Sequence, residues 1–164
     1  MKKVEIRYQK LSDAKKFFEI LNNPNFIYFS SKPKSVEDEK EWLKQNAKKK
    51  KNNVEHNFTI LYNNKLAGGA GIKIDQNNKH IGEIGYFVDK KFWGKGIANK
   101  TVKLLEKFAF KKLGIKRIEI LMYPKNKASQ KVAIKAGYRK EGLLRKKLNH
   151  HGKLLDSYLY AKVI

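Results

Sequence analysis

IGEIGYFVDKKFWGKGIANKTVKLLEKFA, residues 81–109, joins a strand-like segment to an amphipathic segment through a loop that holds two glycines. Alternation predicts a strand over Ile81–Val88, and a one-sided apolar pattern predicts a helix over Ile97–Leu113. The first N–H groups of such a helix lack helical partners, and Gly94 and Gly96 leave that backbone uncovered. The helix dipole favours an anion there. A phosphate-binding loop and a plain tight turn both account for the two glycines.

Known phosphate-binding motifs do not match this loop. Lys95 adds a positive charge between the glycines. No Gly-Lys-Ser/Thr follows at Walker spacing, and the third glycine of the dinucleotide fingerprint is missing. The loop alone is therefore a weak signal.

The rest of the chain divides into elements by the same criteria. Before residue 81 we expect a strand over Val4–Leu11, a helix capped by Ser12 and a second helix from Ser35 to about Lys50. Two strands should follow, at Phe58–Tyr62 and Leu66–Ile74. After the long helix we expect a strand over Ile115–Met122 and a short helix over Asn126–Ala136. The last two strands should span Tyr138–Leu148 and Leu154–Val163. The order β-α-α-β-β-β-α-β-α-β-β predicts one α+β domain, residues 1–164, with a mostly antiparallel central sheet and one β-loop-α-β crossover.

The composition favours a cytoplasmic enzyme or binding protein. The 164 residues, 41% apolar, suffice for one domain with a core. No apolar run approaches the roughly 18 residues of a membrane span, and the first residues do not read as a secretion signal. Cysteine is absent, which excludes disulfides, a thiolate nucleophile and a Cys-based zinc site. We expect no metal and no membrane partner.

The charge balance is strongly basic. Lys and Arg number 38 against 15 Asp and Glu, giving +23. Such a field attracts polyanions, which favours a partner such as RNA or the ribosome. A Lys-rich genome or a high-temperature habitat would produce the same excess without a partner. Both interpretations stay open, since no RNP, zinc-finger or zipper pattern appears.

Four spaced motifs resemble the GNAT superfamily of acyl-CoA N-acyltransferases over nearly the whole chain. They are Glu83–Val88, Trp93-x-x-Gly96-x-Ala98, Asn126-x-x-Ser129 and Ala136-Gly137-Tyr138. Trp93 stands where the family loop has Gln or Arg, which is common in the subgroup that acetylates ribosomal-protein N-termini. Three later segments are similar to that subgroup as well: Glu141–Arg145, His151-Gly152 and Asp156.

The resemblance implies acetyl-CoA as co-substrate. Its diphosphate would lie on the backbone of Gly94–Ala98, and its pantetheine arm between the strands Ile81–Val88 and Ile115–Met122. Backbone groups near Tyr86–Val88 would pair with the arm, and one N–H there would face the thioester oxygen. The implied contacting residues are Tyr86, Phe87, Val88, Trp93, Gly94, Lys95, Gly96, Ile97, Ala98, Asn126 and Ser129.

Glu83 is the candidate base in a direct transfer from thioester to amine. Alternation places it half-buried on an apolar strand, where its pKa should be raised as deprotonation of an ammonium requires. An ion pair with one of the many lysines explains it equally well. Glu119, on the neighbouring strand, is the weaker alternative.

The proton donor for the leaving thiolate is less well defined. The resemblance assigns it to Ser129, whereas a serine near a helix start more often bonds local backbone. Many family members use a tyrosine where this chain has Ala133, so Tyr123 is a reserve candidate. Asn126 is expected to cap its helix and, by the resemblance, to bond the pantetheine arm. His150 and His151 are interpreted as solvated turn residues.

The acceptor is expected to enter between Asn22–Glu41 and Arg145–Asp156, as the resemblance implies. A peptide or protein N-terminus ranks first, because its pKa of about 7.7–8.0 lies well below the 10.4 or so of lysine. An amino-sugar nucleotide ranks second, and a polyamine, repelled by the positive field, third. The competing class is a non-catalytic basic RNA-binding domain. A monomer and a homodimer both remain open.

Overall fold

The computed structural model describes residues 3–28 and 32–164. The strands are β1 Val4–Tyr8, β2 Glu55–Tyr62, β3 Lys65–Ile74, β4 Ile81–Val88, β5 Arg117–Met122, β6 Arg139–His150 and β7 Lys153–Val163. The helices are α1 Ala14–Leu21, α2 Val36–Lys44, α3 Asn46–Lys51, α4 Ile97–Lys112 and α5 Lys127–Lys135. Short 3-10 turns occupy Leu11–Asp13 and Lys90–Phe92.

One seven-stranded sheet runs through the protein in the order β1-β2-β3-β4-β5-β7-β6. Every neighbouring pair is antiparallel except β4 and β5, which are parallel and joined by the α4 crossover. The predicted α+β class and mostly antiparallel sheet are confirmed. No helix among residues 3–28 and 32–164 has the length and apolarity needed to cross a bilayer.

The sequence prediction was wrong at two helix boundaries. Ser12 does not cap α1; it lies in the 3-10 turn, where the Asp13 carboxylate accepts the N–H of Lys10 at 2.9 Å. The predicted helix from Ser35 to Lys50 is divided into α2 and α3. At the junction the Gln45 N–H donates to the carbonyl oxygen of Trp42, three residues earlier, which tightens the turn. The Ser35 cap itself is confirmed, since its hydroxyl oxygen accepts the N–H of Asp38.

The helices cover both faces of the sheet. On one face α4 and α5 bury Val102, Leu105 and Ala109 of α4 as predicted, together with Ala133 of α5. On the other face Ala14 and Phe17 of α1 pack with Leu43 of α2 against Leu66 and Phe87. Ile20, rather than the predicted Phe18, completes the buried face of α1.

β4 is paired along most of its length with β3 but only at its start with β5. β3 stays paired with it from Gly68–Val88 to Ile74–Gly82, and the two backbones approach closely at Gly68. A Cβ added at Gly68 would lie 2.0 Å from the carbonyl oxygen of Phe87. β5 pairs with β4 through three positions only, ending at Glu83 and Glu119. Beyond Glu83, the two strands separate.

Candidate active site

A cleft of about 910 Å³ opens where β4 and β5 separate. β4 from Glu83 to Val88 forms one wall and Ile120–Tyr123 the other. The start of α4 and the first turn of α5 lie along it, and Pro24–Tyr28 borders it on the α1 side. The resemblance placed a pantetheine arm in this gap between two parallel strands.

The glycine loop forms one end of the cleft. Gly94 and Gly96 have φ of +75° and +71°, values that other residues adopt only with strain. A Cβ at either position would meet nothing within 4 Å, and both glycines are exposed. The side chain of Ile97 is 2% exposed and anchors the helix start. The two glycines therefore serve both the turn and the access to backbone N–H groups.

Trp93 braces the loop against β4. Its indole Nε1–H donates to the carbonyl oxygen of Val88 at 2.7 Å, and its ring lies 6.0 Å from that of Phe26. The ring is 49% exposed and lines the cleft. Lys95, by contrast, is not among the lining residues; its ammonium lies 5.3 Å from the ring centre of Phe92. Its charge flanks the loop instead of pointing into the cleft.

Glu83 lies at the point where the two strands part. It is exposed to the cleft, not half-buried as the alternation suggested. Desolvation by the surrounding walls nevertheless raises the pKa of its carboxyl, and Glu119 adds to the rise. Lys73 and Lys147 act in the opposite direction. The weaker candidate, Glu119, is not among the residues that line the cleft, and it accepts a 2.7 Å hydrogen bond from Arg117 Nε.

Ser129 and Tyr86 meet across the cleft. Their hydroxyl oxygens are 3.2 Å apart, and either group can donate to the other. Asn126 caps α5 as predicted, because its side-chain oxygen accepts the Ser129 N–H at 3.1 Å. Desolvation raises the pKa of Tyr86, which keeps its proton at neutral pH. Only the backbone of Tyr86 was singled out from the sequence, since alternation along β4 does not reveal a partner on α5.

Tyr123 belongs to a second polar cluster, where the lining of the cleft includes Tyr28. Its hydroxyl lies 3.1 Å from Nδ1 of His150, and its ring is 5.8 Å from that of Tyr28. The interpretation of His150 as a solvated turn residue was therefore wrong: it ends β6, half-buried beside Tyr123. No sequence signal joins Tyr123, which follows the end of β5, to His150 on β6, since β7 lies between these two strands in the sheet. No cluster of potential metal ligands occurs among residues 3–28 and 32–164.

Of the two segments expected to border the acceptor, only the first contributes several residues to the lining of the cleft. The predicted segment Asn22–Glu41 contributes Pro24–Tyr28, and residues 29–31 within it lie outside the described chain. Of the predicted hairpin Arg145–Asp156, Leu148 alone is among the described lining residues. Glu83 is the single acidic or basic residue in that described lining. The basic side chains of the hairpin therefore lie outside the described lining, although the charge of Lys147 acts on Glu83.

Comparison with known proteins agrees with this geometry. The acetyltransferase (GNAT) domain family matches residues 3–139. The putative ribosomal N-acetyltransferase YdaF of Bacillus subtilis is 30% identical over 96% of this chain and 90% of its own length. The N-acetyltransferase p20 of Bacillus licheniformis is 36% identical over 63% of this chain. The matched region spans 60% of p20, 43% of YjcK and 55% of YoaA, the latter two from Bacillus subtilis.

Two solved structures share the fold. The ribosomal-protein-S5-alanine acetyltransferase of Vibrio fischeri superimposes with a TM-score of 0.86 at 27% identity, covering 98% of this chain and 92% of that one. The microcin C7 self-immunity acetyltransferase MccE, solved with acetyl-CoA and AMP, gives 0.85 at 28% identity over 98% and 92%. The family match runs from β1 to the first residue of β6 and so includes β4, the glycine loop, α4 and β5. This chain belongs to the acetyltransferase (GNAT) family.

Proposed function

We propose that this protein is an acetyl-CoA-dependent N-acetyltransferase whose acceptor is the amino terminus of a peptide or protein. One observation carries the proposal: β4 and β5 part after Glu83, and the same cleft is lined by the exposed glycines Gly94 and Gly96 before α4. A long, thin co-substrate with a diphosphate at one end fits a gap of this shape.

The residues present fit acetyl-CoA. N–H groups at the start of α4 would hold the diphosphate, because they lack helical partners and the helix dipole favours anions. The edge of β4 beyond Glu83 is not paired with β5, so its backbone is available to the pantetheine amides. Bound acetyl-CoA would supply the acetyl group as a thioester. The N–H groups near Tyr86–Val88 would stabilise negative charge on its oxygen.

Glu83 is proposed as the base. An amino terminus is mostly protonated below its pKa of about 7.7–8.0, and it must lose a proton before it can attack. A carboxylate with a raised pKa at the mouth of the strand gap can accept that proton, directly or through a water molecule. The chain has no cysteine, so a Cys-bound acyl group is excluded, and direct attack of the amine on the thioester in a ternary complex is the simplest course.

The Ser129–Tyr86 pair is proposed as the proton donor for the leaving thiolate. Both hydroxyls line the cleft, and each can replenish the proton that the other gives. Tyr123 is the second candidate. Its hydroxyl is shared with His150, which favours a role in shaping the acceptor end of the cleft.

The charge of the lining distinguishes the acceptor classes. A polyamine would place further ammonium groups in the cleft, and the described lining offers Glu83 alone to receive them. The phosphates of a sugar nucleotide would need a second anion site besides the start of α4, and the described lining holds no cationic side chain for one. A peptide terminus with one ammonium and an uncharged first side chain fits best. The name of YdaF, a putative ribosomal N-acetyltransferase, points to the same acceptor class.

A thiol-release screen tests the proposal. The protein is incubated with acetyl-CoA and either N-terminal peptides, amino-sugar nucleotides or polyamines, and free coenzyme A is measured against amine-free controls. We expect the highest kcat/KM with a peptide whose first two residues are uncharged. The same peptide blocked by N-terminal acetylation should give no release. Faster turnover of a polyamine or a sugar nucleotide would overturn the proposed acceptor class. If coenzyme A were released only at the amine-independent rate, the assignment as a transferase would be overturned.

A further inference from the structure

Helices α4 and α5 present a face of lysines to solvent, here named the α4–α5 lysine face. Its eight exposed members are Lys100, Lys103, Lys107, Lys111, Lys112, Lys127, Lys131 and Lys135. Glu106 is the one acidic residue in the two helices, and it is 8% exposed and bonded to Lys162. No carboxylate of either helix therefore offsets these lysines at the surface.

Helical spacing gathers these charges into one surface. Steps of three and four residues place Lys100, Lys103, Lys107 and Lys111 along one side of α4. α5 lies beside α4 on the same sheet face, and the Asn99 side-chain amide donates to the Val132 carbonyl at 3.2 Å. At 1.5 Å per residue the two rows extend about 16 Å and about 12 Å. Successive charges thus lie within about one Debye length of 8–10 Å.

A uniform enrichment in lysine does not produce this distribution. On the opposite sheet face, α2 holds four acidic residues among nine, and Lys40 and Lys44 pair with Glu37 and Glu41 at 2.8 and 2.5 Å. The adjoining α3 has four lysines and no acid, but Lys49 pairs with Glu55 of β2 at 3.0 Å. The α4–α5 lysine face instead sets lysines four residues apart, an arrangement that destabilises a helix through like-charge repulsion. An anionic partner would offset that repulsion.

We propose that the α4–α5 lysine face binds the phosphate backbone of double-stranded RNA. Lysine contacts phosphates as a point charge and reads no sequence. A membrane-surface helix would need apolar residues beside the lysines, and Ile134 is the one large apolar residue of these helices that is strongly exposed. Single strands call for exposed aromatic rings, and both helical phenylalanines are half-buried. The choice of RNA over DNA rests on the proposed ribosomal-type acceptor.

Charge reversal at three central positions tests the proposal. Lys103, Lys107 and Lys131 lie outside the described lining of the cleft, so K103E/K107E/K131E leaves the proposed acetyl-CoA site intact. The matched control, K15E/K65E/K79E, changes the net charge by the same −6 at exposed lysines of α1, β3 and the β3–β4 turn. Affinity for a labelled RNA duplex is measured by fluorescence anisotropy at several salt concentrations without acetyl-CoA.

We expect the α4–α5 triple variant to lose about tenfold or more in affinity and its salt slope to fall by roughly 2–3, one per phosphate contact removed. The control should keep its slope and lose little affinity. Equal losses in both variants, or no binding of the wild type, would overturn the proposal. Tighter binding to anionic vesicles or to a DNA duplex than to RNA would also overturn it. Thermal unfolding and thiol release, measured in parallel, show whether each variant is folded and leave the acetyl-transfer proposal separately testable.

Discussion

Glu83 shows how one position acquires chemistry from its surroundings. It is the last β4 residue that pairs with β5, so its side chain stands at the mouth of the strand gap. Desolvation and the Glu119 charge raise its pKa against the pull of Lys73 and Lys147. The sequence predicted the direction of this shift from an apolar strand. It placed the side chain half-buried because alternation cannot show that the neighbouring strand turns away.

Replacing Glu83 by glutamine should slow transfer without weakening acetyl-CoA binding. We expect kcat/KM for a peptide amine to fall about 10²–10⁴-fold at neutral pH, the usual contribution of a general base. The wild-type rate should rise with pH as Glu83 deprotonates, above the ordinary range of a glutamate. In the variant this part of the pH–rate profile should disappear, and the rate should rise only at higher pH, where the amine itself loses its proton. Thiol release between pH 5 and 10 measures both profiles.

Glu119→Gln is the matched control for Glu83→Gln. It removes a carboxylate from the paired position on β5 and should keep most of the wild-type rate. Because the Glu119 charge raises the pKa of Glu83, the acidic limb should move slightly to lower pH. An unchanged profile in Glu83→Gln, or an equal loss of rate in the control, would remove Glu83 from the base role.

Ser129→Ala and Tyr123→Phe separate the two candidate proton donors. We expect Ser129→Ala to lower kcat by roughly 10²-fold, the lower end for a proton-transfer group, with little change in the Kd of acetyl-CoA. Tyr123→Phe should chiefly change KM for the amine, because its hydroxyl bonds His150 at the acceptor end. Steady-state kinetics with both substrates varied measures the split. The reverse pattern would assign the donor to Tyr123.

Among the elements, the paired strands β3 and β4 contain glycines that serve different purposes. A Cβ at Gly85 would meet nothing within 4 Å, and the space it would enter is the cleft. Gly85→Ala should therefore leave the free energy of unfolding within about 0.5 kcal/mol of wild type while weakening acetyl-CoA binding. Chemical denaturation and calorimetric titration measure the two effects.

Gly68→Ala on β3 should give the opposite result. Its Cβ would lie 2.0 Å from the Phe87 carbonyl oxygen, so β3 and β4 would have to shift. We expect a loss of roughly 1–3 kcal/mol in stability, typical of overpacking. If Gly85→Ala bound acetyl-CoA as tightly as wild type, the co-substrate would not lie along this strand.

Helix α2 carries a buried carboxyl that links stability to pH. Glu39 is 6% exposed, and desolvation, with a contribution from Asp38, raises its pKa from 4.5 to about 7. Between these values the folded protein holds a proton that the unfolded chain releases, so the free energy of unfolding falls as pH rises. Glu39→Gln should remove this fall and stabilise the protein at pH 8 by up to roughly 3 kcal/mol.

The Glu39 effect is measured by urea denaturation at pH 5 and pH 8. Wild type and Glu39→Gln should be nearly equal at pH 5, where Glu39 is protonated. Glu41→Gln, on the exposed side of the same helix, is the control and should show no such pH-dependent gain. Equal stability of Glu39→Gln and wild type at pH 8 would contradict the account of this carboxyl.

At the scale of the whole molecule, the elements were predictable because their signals are local. The alternation of Ile81–Val88 and the glycines before Ile97 are readable within a few residues, and both boundaries agree with the structure. The Tyr86–Ser129 and Tyr123–His150 contacts were not predictable, because sheet order and helix placement create them. The family resemblance supplied the strand gap, which no pattern within β4 or β5 indicates.

Net charge is likewise readable from the sequence, but its distribution is not. Composition gives +23 and leaves both a habitat and a partner open as explanations. The fold places α4 and α5 side by side, and their one acidic residue, Glu106, is buried and bonded to Lys162 of β7, whereas α2 mixes both signs. That asymmetry is a property of the assembled domain.

Calorimetric titration of the folded wild-type protein with acetyl-CoA measures whether the gap between β4 and β5 and the start of α4 hold this co-substrate. We expect one molecule bound per chain with a Kd between about 1 μM and 1 mM, the usual range of enzyme substrates. Pantetheine alone should bind more weakly, because it lacks the diphosphate held at the start of α4. No uptake of acetyl-CoA by protein that unfolds cooperatively would contradict the account, as would equal affinity for pantetheine.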